Sequence, residues 1–251
     1  MAIPMSANEQ IALFNKWKIP YREYSNWRTH NRNHKGNWGP VNGLMVHHTG
    51  SDAKDQRKLL HDGLSDLPGP LVQWGLDQKG VIHLIGNGRC NHAGLGDPDV
   101  LNAVIAENYT TKPPTDNQAV VDGNARFYGV EIWYSGSHEM TDAQYATLRK
   151  LGAAVCSHHK WTSRSVIGHG EWQPGKWDPG YKKGTMMNMT NVRKDIAITQ
   201  KLGPNPAGKG IPPVDKPPVV PPVATKPKPE VVTLKQVFDN TEEILKLLKG
   251  K

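Results

Sequence analysis

The chain has 251 residues, eight tryptophans, a 37% hydrophobic fraction and a net charge of +8. That is enough for one medium domain with an appendage, and enough apolar material for a real core. Charge alone admits nucleic acid, anionic membrane or anionic cell wall as partner. With no run of five or more Lys/Arg and no nucleic-acid-binding motif, it argues against nucleic acid. No apolar run reaches about 18 residues, so membrane insertion is not expected. The opening residues lack the basic and apolar regions of a signal peptide, so the expectation is a product made in the cytoplasm. Two distant cysteines, Cys90 and Cys156, exclude a disulfide framework and a Cys-rich metal site, and leave either two buried thiols or one bridge.

In chain order, Ser6 and Glu9 form a capping box ahead of a short amphipathic helix over 7–17, with Ile11, Leu13, Phe14 and Trp17 at helical spacing. Residues 20–40 are polar and aromatic without period and read as a loop carrying His30 and His34. Leu44–His48 is a short strand. Residues 52–64 read as a helix with Leu59, Leu60 and Leu64 on its apolar face. Val72–Leu76 and Val81–Ile85 flank a D-Q-K-G turn and make a hairpin. Gly86–Gly96 is Gly-rich but matches no phosphate-binding pattern. Residues 97–126 are polar with one apolar patch at Val100–Ile105, and Y-T-T-K-P-P-T-D-N-Q from Tyr109 reads as an exposed loop. Tyr128–Tyr134 is strongly β-prone and reads as a central strand. Thr141 and Gln144 cap a helix over 141–159, whose His158 and His159 fall where a helix dipole favours cations. Residues 188–201 close the domain, 1–202, as a last helix.

From 203 to 230 the composition changes: ten of the twenty prolines fall there, so this is a semi-rigid linker without a core. Residues 231–251 carry an amphipathic stripe through Leu234, Val237, Phe238, Ile244, Leu245 and Leu248. A lone helix of about four turns is marginal in water, so it calls for a partner: a second copy of the chain, or the wall as an anchor.

Three stretches carry chemistry. In H-G-E-W-Q-P-G-K-W-D-P-G (169–180) rigid Pro-Gly turns can bring the imidazole of His169 and the carboxylate of Asp178 to one point. Zinc accepts both donor types at about 2.0–2.2 Å. A third ligand must come from elsewhere, and V-H-H-T (46–49) offers one. His47 and His48 face opposite sides of a strand, so only one can serve, and alternation alone does not choose. Glu131 sits in the middle of an apolar strand, where a carboxylate is costly unless paired or used. Desolvation would raise its pKa toward neutrality and suit it to moving protons. Its bland alternative is an ion pair with Arg126 or Arg164.

Together with N-H-A-G (91–94) and G-V-E-I (129–132), these stretches occur in one order over about half of the chain. The chain resembles the zinc-dependent N-acetylmuramoyl-L-alanine amidases of the type 2 amidase and peptidoglycan-recognition-protein superfamily, in the phage endolysin branch. The resemblance implies a mixed α/β fold: a central sheet of five or six strands with helices on both faces and zinc at the sheet's C-terminal edge. It implies Zn²⁺ held by His47, His169 and Asp178, Glu131 as general base, and Lys176 facing the oxyanion. It places His92, Thr49 and Trp74 on the substrate, although a loop histidine bonded to backbone explains His92 equally well. Val72 stands where some members carry a catalytic tyrosine, and P-G-K-W-D is one residue shorter than the related P-G-R-K-x-D. The implied activity is cleavage of the bond between N-acetylmuramic acid and L-alanine in peptidoglycan, after release of the protein to the wall. A non-catalytic binding module of the same fold and a zinc peptidase cutting within the stem peptide are the other readings.

Overall fold

The computed structural model describes residues 2–204. Nearly all of the expected linker (203–230) and the whole expected helix (231–251) lie outside the described residues. Helix α1 (Ala7–Trp17) begins with the Ser6/Glu9 capping box. Strand β1 (Tyr21–Glu23) follows within a stretch expected to be loop. Its main chain is fixed by parallel pairing with a strand distant in sequence, which no local pattern announces. Strand β2 spans Gly43–His48. Helix α2 is only Arg57–Asp62, shorter than the expected 52–64; of its leucines Leu60 is buried, while Leu64 beyond it is exposed.

The hairpin is β3 (Trp74–Leu76) and β4 (Ile82–Leu84), antiparallel as expected. A two-residue β5 (Leu95–Gly96) pairs with β6 (Val121–Asp122). Between them lies α3 (Pro98–Ala106), which contains the apolar patch and for which no helix was expected. The Asp97 carboxylate accepts from the amides of Asp99 and Val100, and Pro98 occupies the first helical position, where its missing N–H costs nothing. Strand β7 is Phe127–Ile132 and α4 is Asp142–His159, capped by Thr141 and Gln144. Then come β8 (Val166–Gly168), the small ribbon β9 (Gly180–Lys182) and β10 (Thr185–Met186), and α5 (Met189–Leu202).

The main sheet has six strands in the order β1-β4-β3-β7-β2-β8. β7, β2 and β8 run parallel, so their C-terminal ends meet at one edge. Alternation divides the side chains between two faces. Leu44 and Val46 of β2, Trp74 and Leu76 of β3, and Tyr128, Val130 and Ile132 of β7 join a single large core with α1, α4 and α5. The contact of α4 with α5 there needs Gly152: a Cβ at that position would lie 2.6 Å from Ile196 Cδ1. The opposite face carries two separate apolar clusters. One holds Met45, Phe127, Ile167 and Trp172 against α3. The other holds Leu60, Val72, Ile85 and Trp133. Cys90 and Cys156 are both buried and unbridged. No helix among the described residues is long and apolar enough to cross a membrane.

Candidate metal centre

The strip between the two small clusters is polar, and the site lies on it. His47 stands one residue before the end of β2, directly opposite Glu131 of β7. Pairing of Val46 with Gly168 sets the end of β8 beside it, so His169, the next residue, arrives at the same point. Asp178 returns through a loop closed at its base, where the Gly170 amide donates to the Asp178 carbonyl at 2.9 Å.

The three ligand atoms form a nearly equilateral triangle. His47 Nδ1 lies 3.1 Å from His169 Nδ1 and 3.0 Å from Asp178 Oδ2, and His169 Nδ1 lies 3.1 Å from the same oxygen. A tetrahedral zinc with bonds of about 2.0–2.1 Å has ligand atoms about 3.3 Å apart, so the donor set and its spacing fit that ion. His169 Nε2 lies 3.1 Å from the Gln173 amide oxygen, which can only accept. Nε2 therefore carries the proton, and the Nδ1 lone pair faces the centre. Among the described residues, His47, His169 and Asp178 are the only such cluster of potential ligands.

The electrostatics suit a cation. Burial would raise the Asp178 carboxyl, but the imidazoles of His169 and His47 beside it outweigh that and hold it well below the usual range. Burial, aided by neighbouring His169 against the pull of Asp178, lowers His47 to about 4, so it is neutral and able to ligate. Glu131 is pushed the other way: burial raises its carboxyl well above the ordinary value, the Asp178 charge adds to that, and only Lys176 opposes it. Its Oε2 is shielded from solvent and has no hydrogen-bond partner. Neither Arg126 nor Arg164 pairs with it; Arg164 Nε donates to the Tyr109 carbonyl instead. Lys176 is exposed on the loop, its ammonium makes no hydrogen bond or ion pair among the described residues, and it is near enough for its charge to act on both Glu131 and His47.

The three residues expected to touch substrate are each engaged within the fold. Trp74 is fully buried on the opposite face, stacked on Tyr128 with ring centroids 5.3 Å apart and donating to Gln10 Oε1 at 2.9 Å. Strand alternation gives its neighbour Gly75, not Trp74, to the site face. The Thr49 hydroxyl is held in its own turn, 2.7 Å from Gln56 Nε2 and within 3.4 Å of the carbonyls of Ser51, Ile132 and Tyr134. His92 is buried behind His47. Its Nδ1 is 3.0 Å from His47 Nε2 and its Nε2 is 3.1 Å from the Phe127 carbonyl. His48 packs beneath the centre, accepting from the Gly180 amide at 2.8 Å against the Trp177 ring. Val72 is wholly buried. His159 is no cationic cap: stacked on Trp161 and bonded to the Tyr128 hydroxyl, it is lowered by burial, with His158 adding to the effect, to about 4.

Supporting residues were not anticipated. Glu171 and Arg193 form a buried two-pronged ion pair, at 2.7 and 2.9 Å. Glu171 also receives the Gly168 amide, and Arg193 donates to the Val166 carbonyl, so α5 holds β8 and with it His169. Glu171 lies inside the motif, but nothing in a mostly polar helix marks Arg193 as its partner. Asn124 Oδ1 accepts from the amides of His92 and Ala93, both at 2.8 Å, and Trp172 Nε1 donates to the Ala93 carbonyl at 2.9 Å.

The family profile for N-acetylmuramoyl-L-alanine amidase matches residues 37–181. No curated protein matches the chain. Solved structures similar to it include the endolysin amidase LysCS from Clostridium intestinale URNW, at 17% identity over 65% of this chain and 87% of that one, with a TM-score of 0.43. An AmpD derivative is similar at 18% identity over 66% and 90%, TM-score 0.44. The endolysin of Thermus scotoductus MAT2119 bacteriophage Ph2119 is similar at 13% over 70% and 99%, TM-score 0.43.

Proposed function

The chain belongs to the N-acetylmuramoyl-L-alanine amidase family, and we propose that it is a zinc-dependent hydrolase of the bond joining N-acetylmuramic acid to the L-alanine of the peptidoglycan stem. The observation that carries this reading is the triangle of His47, His169 and Asp178, with sides of 3.0–3.1 Å. Three protein ligands with an open fourth position are the pattern of a catalytic rather than a structural zinc. Bound there, zinc would lower the pKa of a water and polarise the amide carbonyl.

The chain's own residues do the rest. Glu131, directly across from His47, accepts the proton of the attacking water as the C–O bond forms. It returns that proton to the alanine nitrogen as the C–N bond breaks, leaving a lactyl carboxylate and a free amine. The burial that raises its pKa favours the protonated form from which it returns the proton. Lys176, uncommitted on the loop, supplies positive charge to the developing oxyanion. With all three ligands present, the enzyme reading is favoured over a binding module of the same fold. An endolysin role, acting on the wall after release from the producing cell, accords with this chemistry.

The test is digestion of purified peptidoglycan by the full chain, with identification of the newly freed amino termini. We expect L-alanine termini, their loss with a chelator, recovery with added zinc, and inactivity of His169→Ala. New termini at another stem residue would favour a peptidase; wall binding without any new terminus would favour a recognition module.

A further inference from the structure

We infer that His92 is a positioning residue that fixes the proton on His47, and that Gly129 exists to make room for it. This rests on the zinc reading above but concerns residues that touch neither metal nor substrate. The argument begins at the far end of the chain of contacts. The Phe127 carbonyl can only accept, so His92 Nε2, 3.1 Å away, must carry a hydrogen. A neutral imidazole has one N–H, so His92 Nδ1 is a lone pair. His47 Nε2, 3.0 Å from that lone pair, must therefore be the donor. His47 then has its own lone pair on Nδ1, the atom that faces Asp178 and His169. One backbone carbonyl thus dictates, through two rings, which nitrogen of His47 is free to ligate. Because the relay ends on an amide oxygen it cannot pass a proton onward, so it orients rather than shuttles.

The backbone is shaped around this arrangement. A Cβ on Gly129 would lie 2.8 Å from His92 Nδ1 and 2.9 Å from two more of its ring atoms. Gly129 is the middle of β7, two residues before Glu131, and any larger residue there would push the His92 ring off His47. The His92 main chain is pinned in turn by Asn124 Oδ1. The N-H-A-G and G-V-E-I stretches are thus two halves of one device.

The experiment measures zinc dissociation constants by chelator competition on the full chain for wild type, His92→Phe, His92→Gln, Gly129→Ala and the His92→Phe/Gly129→Ala pair. Metal-free thermal melts and circular dichroism identify which chains are folded. Loss of a hydrogen bond behind a metal-bound histidine typically costs about 10–100-fold in affinity. We expect that loss in His92→Phe and in Gly129→Ala, with the double variant no weaker than the weaker single. His92→Gln, which keeps one acceptor and one donor, should lose less than His92→Phe. Nitrogen-15 spectra of the metal-free wild type should show His47 protonated on Nε2, and His92→Phe should lose that preference. Wild-type affinity in His92→Phe, or additive losses in the double variant, would overturn the positioning role while leaving the amidase reading intact. If His92→Phe does not fold, His92→Gln and the wild-type spectrum decide. A wild type that binds no zinc would overturn both.

Discussion

The two faces of the main sheet solve different problems. On one face, strand residues and three helices close a single apolar core. On the other, two smaller clusters are held apart by a polar strip running through His47, Glu131 and His83, with Gly75 between the last two. Three of the five buried polar atoms without a partner among the described residues lie on this second face: Glu131 Oε2, Trp133 Nε1 and His83 Nδ1. An unpartnered buried polar group typically costs about 1–3 kcal/mol. One face therefore supplies stability, and the other spends some of it to keep reactive groups partly desolvated.

The largest test of that division is Glu131→Gln. Removal of a positioned general base should lower kcat by about 10²–10⁴-fold. Because Glu131 holds its proton to higher pH in the folded chain than its ordinary 4.5, its contribution to stability is complete below that value and declines as pH rises through the raised one. In urea melts of the metal-free protein, Glu131→Gln should remove that decline and be no less stable than wild type at neutral pH. A variant both inactive and strongly destabilised would break the comparison. On the other face, Trp74→Ala should cost about 3–5 kcal/mol in the same melts, as for other large core truncations. Zinc affinity of the folded fraction should be unchanged. The smallest effect is expected from His159→Leu. The His159 ring is lowered to about 4 from 6.5, so the unfolded chain takes up a proton that the folded chain refuses. Its contribution is present above 6.5 and is lost as pH falls toward 4. His159→Leu should flatten the acid side of a melting-temperature profile over that window.

Much of this division was legible in the sequence because it rests on local signals. Capping residues marked α1 and α4, and the D-Q-K-G turn marked the β3–β4 hairpin. The incongruous Glu131 in an apolar strand marked the polar strip. Failures came where long-range pairing decides. β1 exists only because β4 runs beside it. Trp74 is expected on the substrate, but alternation along the hairpin gives Gly75 to the site face. α3 opens on an Asp97-Pro98 start signal, but it is short and is followed by a long polar stretch that hides it in the sequence. His92 was seen, but its direction depends on the empty space above Gly129, which no spacing rule records.

The loop bearing Asp178 is cinched at its neck by the Gly170–Asp178 main-chain bond, while its apex at Pro174 and Gly175 stands clear, with nothing within 4 Å of a Cβ built on Gly175. Length can therefore vary at the apex without disturbing the ligands at the neck. The one-residue shortening ahead of Lys176 falls in this free segment. Reach toward a bulky polymer and grip on a small ion are thus separately adjustable, and grafting longer apices here would retune the first while sparing the second.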